Sequence, residues 1–175
     1  MTILIDMDGV VVDFVGGVLA GLQKHGVRIR RENINHFTYL DWASEHADWA
    51  KEIAQADGFF LRLDPLPGAI DGVNELRSKH DIRFCSAPLP GNKTCETDKR
   101  AWIEKYFDKQ LADEAFIGSD KTMCDGDYLI DDNPEVAGSK EPSWQHIVFD
   151  QSWNYASSAP RLFGLSVAEF DDLVR

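Results

Sequence analysis

The 175-residue sequence predicts an α/β protein built on a Rossmann-like parallel sheet, with a small helical cap inserted after the first strand. Three features carry this reading. Short runs of aliphatic and β-branched residues end in polar clusters, as strands buried on both faces do. Helical patterns separate several of these runs, which is the alternation of βαβ units. The stretch from Val15 to Leu66 has helical spacing and many aromatics but no strong strand signal.

Thr2 to Asp6 is the first strand, breaking at the turn dipeptide Asp8-Gly9. Helical stretches near Gly16 to His25 and Ser44 to Ala56 follow, joined by an aromatic segment. They make residues 15–66 the expected cap and leave 1–14 and 67–175 as the core, with hinges near Val15 and Leu66. Pro67-Gly68 opens a helix carrying Ile70, Val73 and Leu76, because proline suits a first helical turn. Ile82 to Ser86 is the next strand. Thr97 to Phe107 then sets Trp102, Ile103, Tyr106 and Phe107 at helical spacing. Ala115 to Ile117, Tyr128 to Asp131 and His146 to Phe149 complete the expected sheet. Ser166-Val-Ala-Glu169 is a capping-box pattern that opens a last helix with Phe170, Leu173 and Val174.

A net charge of −12 argues against a nucleic-acid polymer or an anionic membrane as partner, since both reward clustered Lys and Arg. No apolar stretch approaches the roughly 20 residues of a membrane span. Met1 runs straight into Thr-Ile-Leu-Ile-Asp without a basic start or cleavage site, so a cytoplasmic protein is expected. Cys85, Cys95 and Cys124 are widely separated and read as reduced structural thiols.

Ligands of a parallel sheet gather beyond the carboxyl ends of its strands. Asp6 and Asp8, Ser86, and Asp131 with Asp132 all fall at such ends. Converging carboxylates repel one another unless a cation neutralises them, and hard oxygen donors suit Mg²⁺. A carboxylate can attack phosphorus once the phosphoryl group is held in line, which is the role expected of Asp6. Asp8, two residues on, can protonate the leaving group and later deprotonate water, with its backbone carbonyl free to touch the metal. Ser86 can donate its hydroxyl to a phosphate oxygen. Lys121 is the cation expected to neutralise phosphate and Asp6, with Lys99 in reserve. Singly, each piece is bland: Asp-Gly is a common turn, Lys121 an ordinary surface lysine, and Asp13 a helix cap. Their order and strand context give them weight.

That ordered set, Asp6-Met7-Asp8-Gly9-Val10, then Ser86, Lys121 and Asp131-Asp132, resembles the haloacid-dehalogenase superfamily. The likeness extends to the 5'(3')-deoxyribonucleotidase family in Val10-Val-Val-Asp13-Phe14, Leu63-Asp-Pro-Leu-Pro-Gly-Ala69, Lys99-Arg-Ala-Trp-Ile-Glu-Lys-Tyr-Phe107, Asp120-Lys-Thr122 and Pro142-Ser-Trp144. The resemblance implies a haloacid-dehalogenase-type core that removes the 5' or 3' phosphate of deoxyribonucleoside monophosphates through a phospho-aspartyl intermediate. It makes Asp6 the nucleophile, Asp8 the acid/base, and Ser86 and Lys121 phosphate holders. Mg²⁺ would be held by Asp6, the Asp8 carbonyl and Asp132, with Asp131 supporting. Phe14 would line the sugar and base pocket, near which Phe37, Thr38 and Tyr39 also fall. Ala87, Pro90 and Asn133 depart from the family pattern and bear on substrate preference. The expected partner is therefore a small phosphomonoester, and a homodimer is left open. The same chemistry on a different small phosphomonoester, or a non-catalytic nucleotide binder, are the alternative readings.

Overall fold

A six-stranded sheet, parallel at every pairing, organises the chain, whose computed structural model describes residues 1–35 and 40–175. Phe37, Thr38 and Tyr39 lie outside the described residues. The strands are β1 (Thr2–Ile5), β2 (Asp81–Ser86), β3 (Phe116–Ile117), β4 (Tyr128–Asp131), β5 (Gln145–Phe149) and β6 (Arg161–Leu162), in spatial order β3-β2-β1-β4-β5-β6. Ile3, Leu4 and Ile5 of the central strand are buried, as expected for an aliphatic run covered on both faces. The order reverses at β1, so a crevice opens where the carboxyl ends of β1 and β4 separate from each other's loops.

Helices α1 (Phe14–Lys24), α2 (Ala47–Gln55) and α3 (Ala69–Arg77) lie between β1 and β2, α4 (Cys95–Tyr106) and α5 (Lys109–Glu114) between β2 and β3, and α6 (Val167–Leu173) follows β6. Asp13 caps α1 by accepting from the Gly16 amide at 2.9 Å, as expected of a helix cap, and pairs with Arg31. A Cβ on Gly21 would lie 2.6 Å from Ile53 Cγ2, so the missing side chain lets α1 approach the helix of Ile53 closely. The chain enters and leaves the 15–66 segment along one path. The Asp13 amide donates to the Asp64 carbonyl at 2.9 Å, and the Leu66 amide to the Val11 carbonyl at 2.8 Å. Trp102 is buried in the main core and donates its indole N–H to the Leu63 carbonyl at 2.8 Å.

The structure corrects several expectations. The helix expected from Ser44 is broken, because Ser44 adopts φ 53 within a 3-10 stretch (Asp41–His46) that precedes α2. The capping box at Ser166 forms only by half. Its hydroxyl accepts from the Glu169 amide at 3.2 Å, but the Glu169 carboxylate accepts from Phe163 at 2.6 Å. Neither β6 nor α5 was anticipated, since two residues of strand and six of helix are too short to show a hydrophobic period. No helix among the described residues is long and apolar enough to cross a membrane.

Candidate active site

Beyond Ile5 the chain turns back on itself, with the amides of Val10, Val11 and Val12 all donating to the Met7 carbonyl at 2.8–3.2 Å. Asp6 meets Asp131, the last residue of β4, and Asp132 just past it, while Asp8 meets Lys99. One carboxylate oxygen from each of Asp6, Asp131 and Asp132 lies within 4.8 Å of the others, and all three residues are buried. Lys121 Nζ stands 3.0 Å from Asp6 Oδ1 and donates to Asp131 Oδ2 at 2.5 Å. It sits in a 3-10 turn (Lys121–Met123), opened by Asp120, whose carboxylate accepts from the Thr122 amide.

The second cation occupies the other side of the turn. Lys99 Nζ donates to Asp8 Oδ2 at 2.7 Å, Ser86 Oγ at 2.8 Å and the Ala87 carbonyl at 2.8 Å. It also stands 4.9 Å from the centroid of the Phe60 ring. Sequence order alone put Lys99 in reserve behind Lys121. In the fold the fifth residue of α4 reaches the carboxyl ends of β1 and β2, so the two lysines divide the carboxylates between them. Lys99 is 1% exposed and lies behind Ser86 rather than in the cavity wall.

The electrostatics follow from burial. Desolvation raises the Asp8 carboxyl above its usual range, partly offset by Lys99, while Asp6 raises it further. Burial likewise pushes Asp131 up to about 6 against the pull of Lys121. Asp132 is held well above the carboxylate range by burial, with Asp131 and Asp6 adding to the effect. Burial works against the Lys121 ammonium, but Asp6 and Asp131 outweigh it and hold the lysine above its ordinary range. Four carboxylates, Asp6, Asp8, Asp131 and Asp132, thus face two ammoniums, and four minus two leaves two uncompensated negative charges when all are ionised. Among the described residues, Asp8 Oδ1 is buried without a hydrogen-bond donor, and Asp6 Oδ1 faces the Lys121 ammonium at 3.0 Å. This oxygen-rich set fits a divalent cation in charge and in donor chemistry.

Residues 151–154, after β5, complete the site, and no sequence motif marks them. Trp153 Nε1 donates to Asp132 Oδ2 at 3.0 Å, Asn154 Nδ2 to the Asp132 carbonyl at 2.7 Å, and Gln151 Nε2 to the Gly9 carbonyl at 2.7 Å. An indole and two amides carry no motif, and their position just past a strand end was the one available cue. Gly9 itself is needed twice over. Its φ is +74°, and a Cβ there would stand 2.2 Å from Asp132 Oδ2. Gly9→Ala is therefore expected to lower stability by about 1–3 kcal/mol and to displace the Asp132 carboxylate. Urea unfolding together with a Mg²⁺ titration checks both effects, and wild-type behaviour in the two would contradict the crowding argument.

Over these groups lies a cavity of about 350 Å³. Asp6, Asp8, Ser86, Lys121 and Asp132 line its polar end. Phe14, Val15, Ile34, Leu40 and Trp42 form one apolar wall, and Ala87 to Pro90 another. Phe14 is set by an edge contact with Phe59 at 5.8 Å and by stacking on Phe60 at 5.9 Å. Ala87, Pro90 and Asn133, the departures noted in the sequence, all reach the cavity. Cys85 and Cys124 lie with sulfurs 3.3 Å apart, and burial pushes the Cys85 thiol up, which suits an inert structural group.

A parallel α/β core of this kind is shared with solved structures of low sequence identity. A haloacid dehalogenase-like hydrolase of Streptococcus pneumoniae matches at TM-score 0.55 and 12% identity, covering 99% of this chain and 96% of its own. YfnB of Bacillus subtilis, solved with magnesium, matches at TM-score 0.54 and 12% identity, covering 94% of each chain. These define the fold class as that of the haloacid dehalogenase-like hydrolases. Sequence narrows it further. Residues 1–164 match the family described as 5' nucleotidase, deoxy (pyrimidine), cytosolic type C protein. The human cytosolic 5'(3')-deoxyribonucleotidase is 36% identical over 157 residues, covering 84% of this chain and 78% of its own. The mouse mitochondrial 5'(3')-deoxyribonucleotidase is 34% identical over 170 residues, covering 89% and 75%. The chain belongs to the 5'(3')-deoxyribonucleotidase family, whose members are phosphomonoester hydrolases.

Proposed function

We propose that the protein hydrolyses the 5' or 3' phosphate of deoxyribonucleoside monophosphates, with Mg²⁺ bound and with Asp6 as the covalent nucleophile. The observation that carries this reading is the meeting of Asp6, Asp8, Ser86, Lys121 and Asp132 at the polar end of one cavity whose other walls are apolar and aromatic. Residues 15–66 serve in this reading as the cap over the cavity. The cation would be held by Asp6, the Asp8 backbone carbonyl and Asp132, with Asp131 supporting. When bound, it would neutralise the phosphoryl oxygens and the acidic cluster.

The chain's own groups then divide the work. Asp6 attacks phosphorus and the alcohol departs, giving an aspartyl phosphate on Asp6. Asp8, raised by burial, gives the departing oxygen its proton and afterwards takes one from the hydrolytic water. Ser86 donates to a phosphoryl oxygen, and Lys121 balances charge on Asp6 and on the phosphate. Lys99 fixes both the Asp8 carboxylate and the Ser86 hydroxyl from behind. Phe14 offers a flat apolar surface to the sugar and base. A cytoplasmic setting belongs to the same proposal and is supported by the three free thiols.

Turnover of a panel of phosphate esters with and without added Mg²⁺ tests the proposal. Deoxynucleotides are expected to be cleaved fastest and only with the cation. Faster cleavage of sugar phosphates would reassign the substrate while keeping the chemistry, and no Mg²⁺-dependent turnover of any ester would leave a nucleotide-binding protein.

Cation binding should depend on pH in a defined direction. Asp131, at about 6, and Asp132 have folded-state values above those of the unfolded chain. They favour the metal-free fold at acid pH, and that contribution is lost as pH rises through about 6. A cation must displace those protons, so the rise in Tm caused by Mg²⁺ should shrink as pH falls from neutrality to about 5. Thermal unfolding at both pH values, with and without Mg²⁺, reads this out. An increment that grows toward acid pH would contradict it.

A further inference from the structure

Asp132 is the acid of the cluster that no lysine holds. Lys121 serves Asp6 and Asp131, and Lys99 serves Asp8. Among the described residues, Trp153 Nε1 is the one hydrogen-bond donor to the Asp132 carboxylate, at 3.0 Å on Oδ2. On that same oxygen the carboxylate rests over Gly9, where no side chain could fit. The backbone of Asp132 is fixed independently by Asn154, which also donates to the Phe149 carbonyl at 2.8 Å and is itself held by Arg161.

We infer that Trp153 is a positioning residue that fixes the Asp132 carboxylate for a divalent cation. The inference rests on the cation site proposed above. An indole N–H is a neutral donor, so it sets the orientation of the carboxylate and leaves its full charge for the cation. A lysine or arginine in its place would orient the acid but cancel that charge. The indole has little freedom of its own. Trp153 is 8% exposed and packs in a buried cluster with Val15 and Ile34. Its neighbour Ser152 donates to the Ile34 carbonyl, so the tetrad 151–154 is tied to the cap segment as well as to the acids. The same ring lines the cavity. One side chain therefore touches the cap, the cavity and the acid that no ammonium restrains.

Trp153→Phe keeps an aromatic ring against Val15 and Ile34 and removes only the N–H. Mg²⁺ titrated calorimetrically into the substrate-free protein should bind about 10-fold or more weakly, the scale on which outer ligand-orienting groups act. Raising Mg²⁺ should restore most of the kcat lost at low Mg²⁺. A purely structural role would instead lower stability without moving Mg²⁺ affinity. Unchanged affinity in the folded variant overturns the inference and leaves the proposed function standing. Wild-type protein that binds no Mg²⁺ overturns both. Wild-type protein gives a second reading that does not depend on the variant folding. In a ¹H–¹⁵N spectrum the indole resonance of Trp153 should move on Mg²⁺ addition while that of exposed Trp49 stays. An unmoved Trp153 resonance at saturating Mg²⁺ likewise overturns it.

Discussion

Asp6→Asn is expected to reduce turnover by roughly 10⁴-fold or more, the scale seen when a catalytic nucleophile is removed. The amide is nearly isosteric with the carboxylate, so the contact of Lys121 with Oδ1 and the hydrogen bond from the residue 6 amide to the Ile130 carbonyl can both persist. What disappears is the anionic oxygen that attacks phosphorus and one of the charges that holds the cation. The effect on stability should have the opposite sign to the effect on rate. Asp6 raises Asp131 and Asp132 by like-charge repulsion within a buried cluster, and removing its charge relieves that repulsion. The metal-free variant should therefore unfold at a Tm no lower than that of the metal-free wild type, as active sites that store unfavourable electrostatics do. Steady-state kinetics and thermal unfolding on the same preparation check both halves. Near-normal turnover in a well-folded variant would remove Asp6 from the chemistry.

Asp8→Asn is expected to slow nucleotide hydrolysis by about 10²–10⁴-fold, the range of general acid–base groups. The character of the defect is more informative than its size. A nucleoside alcohol is a basic leaving group and needs a proton as it departs, whereas nitrophenolate does not. With p-nitrophenyl phosphate the first step should survive the substitution, while hydrolysis of the aspartyl phosphate still lacks its base. Rapid mixing should then show a burst of nitrophenolate followed by slow steady turnover. Lys99 gives this prediction its structural basis. It holds Asp8 Oδ2 at 2.7 Å, while Oδ1 has no donor among the described residues, so one oxygen is restrained and the other is left to exchange a proton. Equal defects on both substrates with no burst would assign the proton transfers to another group.

Much of the core was legible from the chain alone, because a strand covered on both faces has to be an aliphatic run and its carboxyl end has to be where polar groups collect. Thr2–Ile5 and Tyr128–Asp131 announced themselves in this way, and with them Asp6, Asp8, Asp131 and Asp132. The acids could be listed but their partners could not be apportioned. Whether Lys99 or Lys121 meets a given carboxylate depends on the rotation of α4 and on a 3-10 turn of three residues, and neither leaves a periodic trace. Trp153, Asn154 and Gln151 were missed for a related reason. Their contribution is a set of directional hydrogen bonds across more than a hundred residues of chain in the case of Gln151 to Gly9, and such bonds have no sequence period at all. Ser44 with its positive φ broke a helix that composition favoured, a case of local backbone geometry overriding propensity.

The covalent step on Asp6 can be read directly. Wild-type protein turning over p-nitrophenyl phosphate with Mg²⁺ is quenched in acid, and intact-mass and peptide analysis then locate any bound phosphoryl group. A phosphoryl group on the peptide containing Asp6, absent without Mg²⁺ and enriched in Asp8→Asn, is the expected result. Full turnover with no phosphoryl group on that peptide, in wild type and in Asp8→Asn alike, would contradict nucleophilic attack by Asp6.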